Sequence, residues 1–164
     1  MKDIYQFAIN FEQENQKFYR DCAARVGDGR LEKVFYRLAD EEKKHEQIIR
    51  NLAESGEIEP VESDIVSDAR ETFRELTRDF DTNEGVMPRD QLSIYKKAWE
   101  LEKKSHTYYS EKAEETEDEL IKETFSRLAV EEKKHQNIMH NLVTMVERPK
   151  TWLEDAEWYH HQDY

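Results

Sequence analysis

Glu42-x-x-His45 and Glu132-x-x-His135 each set a carboxylate and an imidazole one helical turn apart, on one face, where both can grip the same cation. The pattern alone is weak. Glu157-x-x-His160 near the end of the chain also satisfies it, and 38 acidic residues produce such pairs by chance. Height along a helical bundle is what discriminates. Counting from a turn near residues 27–28, Glu12 lies about 15 residues before it, and Glu42 and His45 lie about 15 and 17 after it, so antiparallel helices bring the three level. Glu102, Glu132 and His135 repeat the arrangement about a turn near 117–118.

Each of the six sits in line with the apolar stripe of its helix: Ala8 shares a face with Glu12, and Leu38 with Glu42, His45 and Leu52. Four carboxylates in a bundle core cost several kcal/mol each, or protonate, unless something positive neutralises them. Two divalent ions do so, one charge for each of Glu12, Glu42, Glu102 and Glu132. Oxygen ligands with one imidazole per ion suit iron or manganese better than zinc. Two iron ions are the first expectation, with manganese or a mixed pair also admissible. Oxidation to two ferric ions would add two positive charges, which an oxygen anion derived from O₂ or peroxide would offset, so redox chemistry with oxygen species follows.

The elements that must position these groups come as an internal repeat. Sliding the chain by 90 residues aligns Phe35-Tyr-Arg-Leu-Ala-Asp-Glu-Glu-Lys-Lys-His45 with Phe125-Ser-Arg-Leu-Ala-Val-Glu-Glu-Lys-Lys-His135, identical at nine of eleven positions. Ile4-Tyr5, Ala8-x-x-x-Glu12 and Phe18-Tyr19 match Ile94-Tyr95, Ala98-x-x-x-Glu102 and Tyr108-Tyr109 at the same offset. Apolar residues at three- and four-residue steps predict helices near 2–25, 30–54, 88–115 and 119–147. Gly27-Asp28-Gly29 gives a helix stop and an N-cap, Asp118 gives the matching cap, Pro88 opens the third helix and Pro149 follows the fourth. The expected architecture is all-α: a four-helix bundle over 1–148, built from hairpins 1–54 and 91–147 about a pseudo-twofold. A crossover over 55–87 carries a short helical pattern around Ala69, Phe73 and Leu76. Residues 149–164 form a tail whose short amphipathic helix docks on the bundle or on a second subunit.

A Glu in helix one, Glu-x-x-His in helix two and both again in helices three and four resembles the ferritin-like di-iron carboxylate proteins. The Ala-x-x-x-Glu…Phe-Tyr and Leu-Ala-x-Glu-Glu-x-x-His phrasing is most similar to the rubrerythrin branch, over about 2–54 and 91–147. The resemblance implies Glu12, Glu42, His45, Glu102, Glu132 and His135 as metal ligands, with Glu42 and Glu132 bridging. It implies an oxidoreductase that reacts with hydrogen peroxide or O₂ in oxidative-stress protection, the alternative being iron binding or iron handling without catalysis. Rubrerythrins usually carry a further carboxylate one turn after the helix-three glutamate, where this sequence has Ser105, and a rubredoxin domain, for which one cysteine does not suffice. The electron source is therefore expected to be an external donor protein such as a rubredoxin, and the assembly a homodimer.

The other candidates read as structure. A solvated helix face accounts for Glu41, Lys43, Lys44 and their copies. Tyr19 and Tyr109 lie at core spacing two turns beyond Glu12 and Glu102, with a second reading as hydrogen-bond donors to the ligands or electron relays. Trp99 reads as packing, His106 and His140 as surface, His160 and His161 as a polar tail, and Cys22 as a small buried apolar residue.

Composition excludes the rival classes. With 4 Gly and 3 Pro in 164 residues, turns are too few for a β-sandwich or barrel. A formal charge of −13 argues against nucleic-acid phosphates and anionic membrane surfaces as partners. One cysteine admits no internal disulfide or Cys-x-x-Cys knuckle. No signal-peptide or membrane-span pattern occurs, so the expected location is the cytoplasm.

Overall fold

A computed structural model describes residues 3–81 and 89–158. Among them run six α-helices, α1 (Asp3–Arg25), α2 (Gly29–Ser55), α3 (Ile65–Asp81), α4 (Leu92–Glu115), α5 (Glu119–Glu147) and α6 (Pro149–Trp158), with a 3₁₀ turn at Arg89–Gln91 and no strand. The chain is an all-α bundle in which α1 packs along α2 and α4 along α5.

Local chemistry sets the hairpin turns. Gly27 takes a φ of 76°, which disfavours any residue with a Cβ, and so breaks α1. Asp28 then caps α2, its carboxylate accepting from the N–H groups of Arg30 at 2.8 Å and Leu31 at 3.1 Å. Asp118 caps α5 in the same way, through Leu120 at 3.0 Å and Ile121 at 3.2 Å. Caps at equivalent positions give the two hairpins one register, which fixes the heights of Glu12, Glu42, Glu102 and Glu132.

The crossover holds a longer helix than the sequence pattern suggested. Ser63 Oγ accepts from the Ile65 N–H at 3.1 Å and starts α3, which runs 17 residues and buries Val66, Ala69, Phe73 and Leu76. Arg30 to Asp79, and Arg37 to Asp64 just before its start, both at 2.5 Å, join it to α2. The partners are at least a third exposed, so these pairs orient α3 more than they stabilise it. The third bundle helix starts at Leu92, later than expected, after the 3₁₀ turn; Pro88 lies outside the described residues. Pro149 follows α5 as expected and itself opens α6, where its missing N–H leaves no acceptor unsatisfied. The tail helix docks on the bundle of its own chain. Trp152 is 3% exposed, meets Phe73 edge-on at 6.1 Å and donates its Nε1–H to Asn141 Oδ1 at 2.9 Å. The Glu157 side chain, His160 and His161 lie outside the described residues.

Apolar packing forms two layers, and the repeat relates them. Tyr19, Phe35 and Tyr95 centre one, with Tyr19–Phe35 at 6.2 Å and Phe35–Tyr95 at 6.0 Å. Their copies Tyr109, Phe125 and Tyr5 centre the other, with Tyr109–Phe125 at 5.2 Å. The six candidate residues are buried between them. Among the described residues no helix is long and apolar enough to cross a membrane.

Candidate metal centre

Glu12 from α1, Glu42 and His45 from α2, Glu102 from α4 and Glu132 and His135 from α5 meet in the bundle interior, none more than 1% exposed. They fall into two groups, each able to offer four ligand atoms within 4.8 Å of one another: Glu12, Glu42, His45 and Glu132, and Glu42, Glu102, Glu132 and His135. Glu42 and Glu132 belong to both. The contacts across the bundle are reciprocal, as two copies about a twofold require. His45 Nδ1 lies 2.8 Å from Glu132 Oε1, and His135 Nδ1 lies 2.9 Å from Glu42 Oε1. The two rings stand nearly parallel, their centroids 5.6 Å apart.

The tyrosines are more than packing. Tyr19 O–H donates to Glu102 Oε1, and its copy Tyr109 O–H donates to Glu12 Oε1. Burial first, and then the neighbouring carboxylates, hold both phenols well above their usual pKa, so they stay protonated donors. Each helix-one-type glutamate is thus oriented by a tyrosine from the other hairpin.

Metal-free, the cluster carries too much negative charge for its burial. Burial raises Glu12 to about 7, although hydrogen bonds from Glu42 and Tyr109 pull the other way. Burial first, and then repulsion from neighbouring carboxylates, Glu12 and Glu102 among them, hold Glu42 and Glu132 well above the carboxylate range. Burial also opposes ionisation of Glu102, but hydrogen bonding by Glu132 and the charge of His135 outweigh it and its pKa falls. His135 goes up, since Glu102 overcomes the burial that would lower it; His45 goes down because burial wins. One Oε2 on each of Glu12, Glu42, Glu102 and Glu132 is buried with no hydrogen-bond partner. Four orphaned carboxylate oxygens beside two inward Nδ1 atoms are a donor set that hard or borderline divalent cations satisfy, and the residues therefore fit a pair of them.

Several placements differ from the sequence reading. Glu41 and its copy Glu131 are not on a solvated face: Glu131 is 1% exposed, and Glu41 Oε1 lies 3.3 Å from His135 Nε2. His106 is half-buried, with Nδ1–H donating to Ala129 O at 2.8 Å, whereas His140 is exposed as expected, against the Trp99 ring at 4.9 Å. Cys22 is buried, as the sequence implied, and burial pushes its thiol up to about 12. Asn15, one turn after Glu12, was not anticipated. Its Nδ2 donates to Ser105 Oγ at 3.2 Å while its Oδ1 is buried without a partner. Its place on the Ala8–Glu12 stripe was the signal available. A family model described as Rubrerythrin matches residues 3–143. No curated protein and no solved structure matches the chain.

Proposed function

We infer the function from a premise that this match supplies: the chain belongs to the rubrerythrin family. Its ferritin-like bundle and buried Glu/His cluster suit a di-iron site. The reading is a di-iron carboxylate oxidoreductase that reduces hydrogen peroxide, or O₂, in protection against oxidative stress. The observation that carries it is the pair of overlapping four-ligand groups that share Glu42 and Glu132 in a fully buried cluster. In this reading Glu12 and His45 would hold one iron and Glu102 and His135 the other, with Glu42 and Glu132 available to both. Two ferrous ions bound there would supply the two electrons that cleave one O–O bond.

The chain contributes position and seclusion. Tyr19 and Tyr109 keep Glu102 and Glu12 aimed inward and retain their own protons. The aromatic layers on either side exclude bulk water, which strengthens every charge interaction within. Ser105, where related sequences are expected to have another carboxylate, donates to Leu101 O at 3.1 Å and offers no further anion on α4. We assign re-reduction to an electron-donor protein such as a rubredoxin, acting on a homodimer in the cytoplasm.

The test is anaerobic mixing of the diferrous protein with one equivalent of H₂O₂, followed by near-ultraviolet absorbance. The expected result is complete oxidation, faster than with an equal concentration of O₂. Rapid oxidation by O₂ with none by peroxide would overturn the peroxidase reading and leave an oxidase or iron-handling protein in its place.

A further inference from the structure

The repeat supplies an internal control for how each histidine is held. Residue for residue, Glu41 on α2 corresponds to Glu131 on α5, and His135 to His45. His135 turns Nδ1 into the cluster and Nε2 outward, 3.3 Å from Glu41 Oε1. His45 also turns Nδ1 inward, with ion-pair contacts there to Glu12, Glu42 and Glu132. Its counterpart carboxylate is engaged elsewhere. Glu131 pairs with Lys134 Nζ at 2.7 Å, and among the described residues it makes no ion pair with His45. At the two histidines the halves differ in the carboxylate behind the imidazole.

The Glu41 side chain is largely buried against His135, 13% exposed. An imidazole binds a cation through a nitrogen lone pair. A proton fixed on Nε2 by an acceptor obliges the lone pair to reside on Nδ1, the nitrogen facing the cluster.

We propose that Glu41 is a positioning residue for His135: it fixes the ring and the Nε2–H tautomer, and so makes the metal position served by His135 tighter than the one served by His45. This rests on the di-metal reading above. The geometry that carries it is the Glu41–His135 contact and its absence in the repeat.

Calorimetric titration of the metal-free full chain with Co²⁺ tests the idea. The wild type should bind two ions in distinguishable steps. Glu41→Ala should weaken the tighter step by about 10–100-fold and leave the weaker one in place. Glu131→Ala should leave both. Glu41→Gln, whose carbonyl still accepts the Nε2–H, should recover part of the loss and serves if the alanine variant folds poorly. In the Co²⁺-loaded protein, the paramagnetically shifted Nε2–H proton of His135 should exchange with solvent slowly in the wild type and rapidly in Glu41→Ala, a change that a merely structural role would not produce. Two ions bound with unchanged steps in Glu41→Ala, or an equal loss in Glu131→Ala, would overturn the assignment of Glu41 alone. A wild-type chain that takes up fewer than two Co²⁺ would overturn the metal centre and this inference with it.

Discussion

Stripping the metal should make stability rise as pH falls, the reverse of ordinary acid denaturation. Glu12 shows the size of the effect. Its carboxyl titrates at about 7 in the folded chain and near the ordinary 4.5 when unfolded, so between those values the folded state holds a proton that the unfolded state has lost. Above pH 7 this disfavours the fold by about 3 kcal/mol, at about 1.4 kcal/mol per pH unit, and the deficit disappears as pH falls to 4.5. Glu42 and Glu132, raised by burial and then by the other carboxylates of the cluster, act with the same sign. His135 does too, since a raised imidazole contributes stability that is present at low pH and lost as pH rises through its folded pKa. Two groups oppose. His45, lowered by burial, costs stability below its unfolded value of 6.5, and Glu102, lowered by its neighbours, costs stability below 4.5. The net expectation between pH 8 and 5.5 is a gain of a few kcal/mol, about 5–10 °C in Tm for a chain of this size. Scanning calorimetry of chelator-treated protein reads it directly. Glu12→Gln, which removes one buried charge at constant shape, should raise the metal-free Tm at pH 8 and flatten the slope. A Tm that is level or falls from pH 8 to 5.5, with metal removal verified, would refute the reasoning.

Three other outcomes are expected. Glu42→Ala or His135→Ala should bring bound metal below two per chain by elemental analysis, whereas Glu157→Ala and His160→Ala should leave it near two. Tyr109→Phe and Tyr19→Phe each leave a buried carboxylate oxygen without its donor, so chemical denaturation should show losses of about 1–3 kcal/mol, similar for the two because their contacts are reciprocal. Asp28→Ala and Asp118→Ala should each cost about 1 kcal/mol by the same assay through the lost cap.

The parts of this molecule that follow from positions along one helix could be read without coordinates. The stripe of Ala8 and Glu12, the heights of Glu42 and His45 and the caps at Asp28 and Asp118 are of this kind, because helical pitch converts spacing into geometry. Contacts between helices were less accessible. Tyr19 and Tyr109 sit at core spacing whether or not a carboxylate waits opposite, and only the assembled pseudo-twofold puts Glu102 and Glu12 there. Glu41 looked solvated because the stripe of α2 passes beside it; the neighbouring α5 brings His135 to it from outside that stripe. The length of α3 was hidden by its exposed charged residues, which dilute the apolar pattern on either side of Ala69, Phe73 and Leu76.

The central claim, a dinuclear centre formed by Glu12, Glu42, His45, Glu102, Glu132 and His135, is tested most directly by counting ions. Iron per chain should be measured by elemental mass spectrometry on protein reconstituted anaerobically with Fe²⁺ and freed of loosely bound metal. The account predicts two iron ions per chain. One ion or none, with the chain folded, would contradict it.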